Sequence, residues 1–173
     1  MKNIALVAHD GRKKELLEWV EFNAYNLSKH NLYATGTTGK LIKDLYHNMY
    51  LKCLDKIEYH SAKEDEIEEY NSYLNTSTTL TQLLSGPLGG DQQIGAMIAE
   101  GKIDVLIFFC DNLIMQGHQN DVSALTRLAS LYNIAFATNR TTADLILTSP
   151  LFNDDNYKRI LPSAIESYKN RQI

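Results

Sequence analysis

Residues 85–93 read Ser-Gly-Pro-Leu-Gly-Gly-Asp-Gln-Gln, so three glycines and a proline stand directly before a carboxylate. Glycine lets the main chain approach a ligand closely, and the start of a helix presents N–H groups to an anion. This pattern predicts an anion site with Asp91 beside it. A turn followed by Asp91 as a helix cap is the competing interpretation, and it is the better one for this segment taken alone.

Residues 35–39, Thr-Gly-Thr-Thr-Gly, form a second pattern that could bind phosphate. Their hydroxyl and main-chain N–H groups can both donate hydrogen bonds, and a helix that follows adds its positive end. The segment is not a nucleotide-binding P-loop, because the glycine spacing is too short and Leu41 replaces the magnesium-binding hydroxyl. Lys13 could add a positive charge, although its neighbours Arg12 and Lys14 favour an ordinary solvated lysine when it is considered alone.

The third pattern is a set of acids with one histidine, namely Asp91, Asp111, His118 and Asp121. Three carboxylates brought together should raise the pKa of at least one of them towards values useful for proton transfer. A histidine among them could polarise a carbonyl group or move a proton. The alternatives are a divalent-metal site, for which no pair has convincing ligand spacing, and a purely structural set of helix caps and a loop histidine. Together with the two phosphate-binding patterns, these side chains suggest proton abstraction from a small phosphorylated sugar.

Short apolar runs that alternate with helical periodicity decide where these side chains lie. The sequence predicts five strands, at Ile4–Ala8, Asn31–Ala34, Thr79–Leu84, Ile103–Phe109 and Ile134–Ala137. Helices are predicted over about 16–27, from Lys40, and over Asp91–Glu100, Val122–Tyr132, Thr141–Leu147 and Pro162–Arg171. This alternation is typical of an α/β fold, a single doubly wound domain of residues 1–173 around a mostly parallel five-stranded sheet. Such sheets bind ligands beyond the carboxyl ends of their strands, where the candidate groups are expected to converge.

The composition argues against several classes of protein. The chain has 173 residues, a net charge of −4 and no basic cluster, so nucleic acid is not an expected partner. No apolar run is long enough to span a membrane, and the first residues do not resemble a signal peptide. The two cysteines, Cys53 and Cys110, do not make a disulfide framework. We therefore expect a cytoplasmic protein without membrane association.

Residues 43–82 differ from the rest of the chain in charge. They hold four lysines against eight acids, whereas the remainder has thirteen residues of each sign, and they contain five of the ten tyrosines. We interpret this region as an inserted surface element, separate from the core and protruding from the molecule. A cover over the site and a partner-binding element are the alternatives.

Four segments resemble the methylglyoxal synthase family: residues 7–10 (Val-Ala-His-Asp), 33–39 (Tyr-Ala-Thr-Gly-Thr-Thr-Gly), 84–93 and 101–109. The resemblance covers the chain apart from the 43–82 region. It implies a lyase that converts dihydroxyacetone phosphate to methylglyoxal and inorganic phosphate through an enediolate, with no metal or other cofactor. It also implies a homohexamer that is inhibited by phosphate.

The resemblance also implies a role for each candidate residue. Asp91 would be the general base that removes a carbon-bound proton, and His118 would polarise the carbonyl oxygen. Asp111 and Asp121 would position or tune that pair. The substrate and its phosphate would be held by His9, Asp10, Lys13, Thr35, Thr37, Thr38, Gly39, Ser85, Gly86 and Arg171, the last of these from a neighbouring subunit.

The chain departs from the family pattern around the predicted histidine. Cys110 stands where an aromatic residue is usual, and Asn112 where a proline is usual. Gly117 and Gln119 flank His118 in place of a proline and an aspartate, and the connection that leads to residue 85 is longer than usual. These changes bear on the pose of the histidine more than on the reaction. The competing functions are a regulatory ligand-binding module, as in carbamoyl-phosphate synthetase, and an inactive homologue that serves protein interaction.

Overall fold

The computed structural model describes residues 1–58, 63–113 and 119–171. Within them, five strands form one sheet: Asn3–Ala8 (β1), Asn31–Ala34 (β2), Thr81–Gln82 (β3), Val105–Phe109 (β4) and Ala135–Ala137 (β5). The sheet order is β3-β2-β1-β4-β5, and every neighbouring pair is parallel. The predicted α/β fold is confirmed, and the described sheet is wholly rather than mostly parallel.

Helices cover both faces of the sheet. They are Lys13–Phe22 (α1), Ala24–Leu27 (α2), Gly36–Glu58 (α3), Glu64–Thr79 (α4), Gly90–Ala99 (α5), Gln119–Leu131 (α6), Arg140–Thr148 (α7) and Ser163–Lys169 (α8). One core cluster joins the sheet to α1, α3, α4 and α7, and the other joins it to α5 and α6. A search of the described residues finds no helix that is both long and apolar enough to span a membrane.

The two core clusters explain why the strands read as continuous apolar runs. Ile4 and Leu6 of β1 face one cluster, while Ala5 and Val7 face the other, and all four side chains are buried. A strand covered on both faces has no solvated side on which polar residues would alternate.

The order of the strands reverses between β1 and β4. From β1 the chain builds β2 and β3 on one side, and it then crosses to build β4 and β5 on the other. Ala8 pairs with Phe109 at the carboxyl ends of the two central strands. The segments that leave β1 and β4 therefore diverge from one point, and the crevice between them is where such sheets bind ligands.

The 43–82 region is not separate from the core, and this corrects the interpretation made from its charge. Three acids of α4 are exposed, namely Glu64, Asp65 and Glu68, whereas Tyr70, Tyr73 and Thr76 recur every three residues and are buried. The ring of Tyr73 lies 6.0 Å from that of Tyr46 on α3, and both belong to the core cluster that contains β1. The helix is amphipathic: its solvated face supplies the negative charge and its tyrosine face packs inward.

Two element boundaries differ from the predictions. Helix α3 begins at Gly36 instead of Lys40, so the Thr-Gly-Thr-Thr-Gly segment is the first turn of a helix and not a loop before one. Strand β3 is limited to Thr81–Gln82, because α4 continues to Thr79 and the hydroxyls of its last threonines donate to carbonyls of the preceding turn. Other strands and helices agree with the predicted bounds to within about three residues, apart from the break between α1 and α2 at Asn23.

Candidate active site

A cavity of about 690 Å³ opens at the carboxyl end of the sheet, between β1, β2 and β4. Residues from five separate segments line it: Val7, Ala8, His9, Asp10, Lys13, Thr35, Thr37, Thr38, Ser85, Gly86, Pro87, Asp91, Phe108 and Asp121. Ten of them are residues singled out from the sequence. The topology thus gathers side chains that are up to 114 positions apart in the chain into one concave surface.

The start of α3 forms one wall of the cavity. The N–H of Gly39 donates to the Thr35 carbonyl at 2.9 Å, so Thr35 stands at the cap position of the helix. The N–H groups of a first helical turn have no partner within the helix, and they carry its positive end. Here that turn also brings the hydroxyls of Thr37 and Thr38 to the cavity. Main-chain and hydroxyl donors together suit the oxygens of a phosphate.

Close packing joins this wall to the Ser85 loop. The N–H of Gly36 donates to the carbonyls of Leu83 and Leu84, at 3.0 Å each. A Cβ atom on Gly36 would lie 2.6 Å from the Cα of Ser85, closer than real side chains come to a main chain. The two segments that the sequence predicts to bind phosphate therefore pack together as one candidate phosphate cradle, and the absent side chain at position 36 allows them to meet.

The loop after Ser85 sets the position of Asp91. Gly89 has a left-handed backbone (φ 105°) and is the cap of α5, and a Cβ on Gly90 would lie 2.0 Å from the Leu84 carbonyl oxygen. Asp91 is consequently the second residue of α5 and not its cap. The competing interpretation, in which Asp91 caps the helix, is therefore wrong. Its side chain is 3% exposed and lines the cavity. A buried carboxylate beside a phosphate cradle fits a chemical role better than a capping one.

His9 is held by the main chain of the neighbouring strand end. Its Nδ1 accepts a hydrogen bond from the Asp111 N–H at 2.9 Å, and its ring meets Phe108 edge-on at 5.0 Å between centroids. Because Nδ1 is the acceptor, a neutral imidazole in this position carries its proton on Nε2. The tautomer is assigned from this hydrogen bond. His9 thus presents a donor at a cavity that also contains a carboxylate.

Charge in the cavity is dominated by acids. Lys13 contributes one cation, and its Nζ donates to Asp10 Oδ1 at 2.5 Å. Asp10, Asp91 and Asp121 contribute three carboxylates to the lining. The lining side chains of one chain thus have a net negative charge. Binding of an anion in this cavity therefore depends on hydroxyl and N–H donors.

Asp91 and Asp121 also border a second, mostly apolar cavity of about 280 Å³ between α5 and α6.

Cys110 lies beneath the site at the end of β4, where its thiol donates to the Phe108 carbonyl at 3.4 Å. Burial is the largest effect on its pKa, which rises to about 11. The thiol is neutral near pH 7, so Cys110 acts as a small buried side chain.

Three predicted site residues that the structure describes do not line the main cavity. Gly39 lies in the first turn of α3. The N–H of Asp111 donates to His9, while its Oδ1 accepts from the Leu113 N–H at 3.1 Å. Arg171 is exposed, with its guanidinium 4.8 Å from the Tyr168 ring centroid. His118 lies outside the described residues, as does Gly117. No three His, Cys, Asp or Glu side chains within 1–58, 63–113 and 119–171 are arranged to hold a metal ion.

Sequence reasoning missed the orienting bond between His9 and the Asp111 main chain. That bond follows from the register of β1 against β4, which sets residue 9 beside the end of a strand about a hundred positions away. Four apolar residues of the lining were not among the predicted site residues: Val7, Ala8, Pro87 and Phe108. The signal for Phe108 was present, because it directly precedes the last residue of the strongest predicted strand.

Comparison with known proteins agrees with this geometry. Residues 15–138 match the profile of the MGS-like domain family. The methylglyoxal synthase of Maridesulfovibrio salexigens is 46% identical over 173 residues, which cover 100% of this chain and 98% of the relative. That of Proteus mirabilis is 48% identical over 159 residues, with 92% and 85% covered. A crystal structure of methylglyoxal synthase from Elizabethkingia anophelis NUHP1 aligns with a TM-score of 0.74 at 39% identity, and covers 99% of this chain and 92% of the other.

Proposed function

The chain belongs to the methylglyoxal synthase family, and on that premise we propose that it is a lyase that converts dihydroxyacetone phosphate to methylglyoxal and inorganic phosphate. The observation that carries the proposal is the buried carboxylate of Asp91 in the same cavity as the phosphate cradle. The reaction moves protons and breaks one carbon–oxygen bond. It therefore needs neither a redox cofactor nor an activated group donor.

The substrate phosphate lies against the start of α3 and the Ser85 loop. Its oxygens accept from the hydroxyls of Thr37, Thr38 and Ser85 and from the first-turn N–H groups, and Lys13 supplies one positive charge. These donors bind substrate and product alike, so inorganic phosphate competes for the same cradle. Binding the phosphate at this wall directs the three-carbon skeleton towards Asp91 and His9.

Asp91 removes a proton from the hydroxymethyl carbon of the substrate. The negative charge that develops on the carbonyl oxygen needs a donor, and His9 Nε2–H supplies one in the described cavity. The predicted donor His118 acts on the same oxygen or on the neighbouring hydroxyl. A positioned base contributes about 10²–10⁴ to the rate, and donors at the oxygen contribute further.

Elimination follows when the bond from carbon to the phosphate oxygen aligns with the π system of the enediolate. The terminal hydroxyl first passes its proton to the former carbonyl oxygen. Its oxygen then becomes the aldehyde carbonyl, while the electrons of the enediolate double bond form a new double bond between the central carbon and the carbon that carried phosphate, and phosphate leaves with the electron pair of the broken bond. The product, the enol of methylglyoxal, takes a proton on the carbon that carried phosphate and loses its hydroxyl proton. The cradle favours this outcome if it holds the phosphate out of the enediolate plane, where an isomerase would hold it in that plane.

The remaining assignments are proposals of the same kind. Asp111 positions His9 through its main chain, and Asp121 tunes Asp91, whose cavity it shares. Arg171 reaches the phosphate of a neighbouring subunit, which requires an oligomer; a homohexamer is proposed from the family resemblance. We also propose that residues 1–173 form one domain and that the protein, with its two free cysteines, is cytoplasmic.

The deciding experiment measures methylglyoxal and phosphate together from dihydroxyacetone phosphate. Wild type should form both in equal amounts, and Asp91→Asn should lose at least about 10²-fold in kcat because the base is gone. Asp44→Asn, an exposed acid on α3, is the matched control and should keep full activity. A wild type that binds phosphate but forms neither product would overturn the proposal in favour of a binding module.

The binding-module alternative is not favoured by the charges of the cavity. Asp91 and Asp121 repel a bound anion, and a site that only held phosphate would bind it better without them. The full-length similarity to methylglyoxal synthases points the same way. An inactive homologue that used α4 for protein interaction would also have to expose the tyrosines that here lie in the core.

A further inference from the structure

A third cavity, of about 300 Å³, lies at the opposite end of the sheet from the proposed active site. It opens where Lys2, Asp104 and Ile134 precede β1, β4 and β5. The length of the central strands, about 17–20 Å, separates it from the phosphate cradle. The segment after α7, from Ser149 to Arg159, covers it from below.

The floor of this cavity is apolar. Val105, Ile134 and Phe152 are each at most 7% exposed and belong to the two core clusters. The aliphatic side chains of Ile146 and Leu151 complete the floor. Core side chains of this kind leave a preformed surface for a flat or branched apolar group.

The charged side chains at the rim of the cavity have a net positive charge. Lys2 and Arg159 stand against a single carboxylate, Asp104, whose Oδ2 already accepts from the Asn3 N–H at 2.9 Å. Arg159 Nη1 donates to the Ile103 carbonyl at 3.1 Å, which fixes the guanidinium at the wall and leaves most of its five N–H donors for another acceptor.

His30 packs against the apolar side of this cavity. Its ring meets Phe152 edge-on at 5.0 Å, and its Nδ1 accepts from the Lys2 N–H at 3.1 Å. Burial, followed by the amino terminus and the side chains of Lys2 and Lys29, lowers the pKa of His30 to about 4, while Asp155 opposes this shift. Its Nε2 is buried and has no hydrogen-bond acceptor among the described residues.

We propose that this cavity is a second binding site, for a small organic anion with an apolar body such as an aryl or branched alkyl carboxylate or phosphate ester. The apolar group would lie on Phe152 and Ile134, and the anionic head would meet the Arg159 fork and Lys2. The planar guanidinium suits either head group, so the two sources are separated by experiment. This site is independent of the proposed reaction, because no residue of its lining belongs to the phosphate cradle.

The test is a calorimetric or ligand-observed NMR titration of the full chain with phenylacetate and with phenyl phosphate. Phenylacetamide lacks the charge and inorganic phosphate lacks the apolar body, so both should bind at least about tenfold more weakly at this site. Arg159→Gln should weaken the anions about tenfold or more, and Lys158→Gln, the exposed neighbouring cation, should not. Comparison of the two anions identifies which head group the site prefers.

Two further variants keep the result decisive. Ala135→Leu places a larger side chain in the cavity from an exposed position of β5, and should block binding without disturbing the Arg159 contact to Ile103. If Arg159→Gln lowers the melting temperature, the Ala135→Leu variant tests binding in its place. Gly36→Ala, which separates the two walls of the phosphate cradle, should leave the affinity of this second site unchanged. Absence of saturable binding, affinity that survives both Arg159→Gln and Ala135→Leu, or affinity lost in Gly36→Ala would each overturn the proposal.

Discussion

At the scale of single residues, the proposed chemistry depends on how His9 is held. Its Nδ1 is occupied by the Asp111 N–H, which leaves Nε2 as the donor. His9→Asn keeps an acceptor near the Nδ1 position but removes the donor. We expect kcat to fall about 10²-fold, as for the loss of one oxyanion donor, with little change in melting temperature. Steady-state kinetics and thermal unfolding of the same preparation measure both quantities.

The control for this variant is His47→Asn, which alters an exposed histidine on α3. It should match wild type in kcat and in melting temperature. A His9→Asn enzyme with kcat within about threefold of wild type would show that His9 is not a donor to the reacting oxygen. A large fall in melting temperature with unchanged kcat would assign His9 a structural role instead.

At the scale of secondary structure elements, the phosphate cradle depends on the contact between the start of α3 and the Ser85 loop. Gly36→Ala places a methyl group 2.6 Å from the Cα of Ser85, so the two walls must separate. Alanine otherwise favours a helix over glycine by about 1 kcal/mol, so the main effect should appear in binding. We expect KM for dihydroxyacetone phosphate and the inhibition constant of phosphate to rise together, each by about tenfold or more.

Gly95→Ala is the matched control, because it also adds a methyl group within a helix. That methyl meets the Cδ1 of Leu128 at 3.0 Å and the Cδ1 of Leu125 at 4.0 Å, and the flexible Leu128 side chain can move aside. Its KM should stay close to the wild-type value. If Gly36→Ala behaves like Gly95→Ala, the cradle does not form as described.

Helix α4 supplies a second prediction at this scale, concerning stability. Tyr73 is 5% exposed, packs on the Tyr46 ring and donates to the Glu69 carboxylate. Tyr73→Ala should lower the free energy of unfolding by about 3 kcal/mol, measured by urea denaturation. Phe22→Ala, at an 80% exposed ring, should change it by less than about 0.5 kcal/mol. Equal effects of the two variants would restore the view of residues 43–82 as an element outside the core.

How well each element could be predicted depends on whether its local sequence or contacts with distant residues determine it. Strands β1 and β4 were predicted to within about two residues, because burial on both faces leaves an apolar run that needs no further context. The first turn of α3 was missed, since glycine and threonine favour helices poorly and contacts from the distant Leu83 and Leu84 carbonyls hold it. The acidity of α4 concealed its tyrosine face in the same way.

The cavity lining was predictable where it follows strand ends. His9, Thr35 and Ser85 each come directly or almost directly after a predicted strand, and parallel strands end at one edge. The roles inside the cavity were not predictable. They depend on tautomers, on main-chain donors and on the glycine contacts, all of which arise only when distant segments pack together.

At the scale of the whole molecule, the charge of the cavity indicates what a single chain lacks. Three carboxylates against Lys13 make a poor site for a phosphate dianion, and Arg171 of the same chain is exposed beside Tyr168. A cation from another chain would correct this balance, and the proposed oligomer provides it. We therefore predict that Arg171 completes a neighbour's site, which subunit mixing can test.

Asp91→Asn and Arg171→Gln should each be nearly inactive as pure proteins. The first lacks the base, and the second lacks the cation that binds the substrate phosphate. When the two chains are co-expressed and assemble together, a site is intact if it has Asp91 of its own and Arg171 from a neighbour. Equal random mixing makes about a quarter of the sites intact, so activity should rise to about that fraction of wild type. If Arg171 served its own chain, no mixed site would contain both residues, and activity would stay at the level of the separate variants. A control mixture of Asp91→Asn and Asp44→Asn chains should keep about half of the wild-type activity. Every chain in it has Arg171, and half of the chains have the base Asp91.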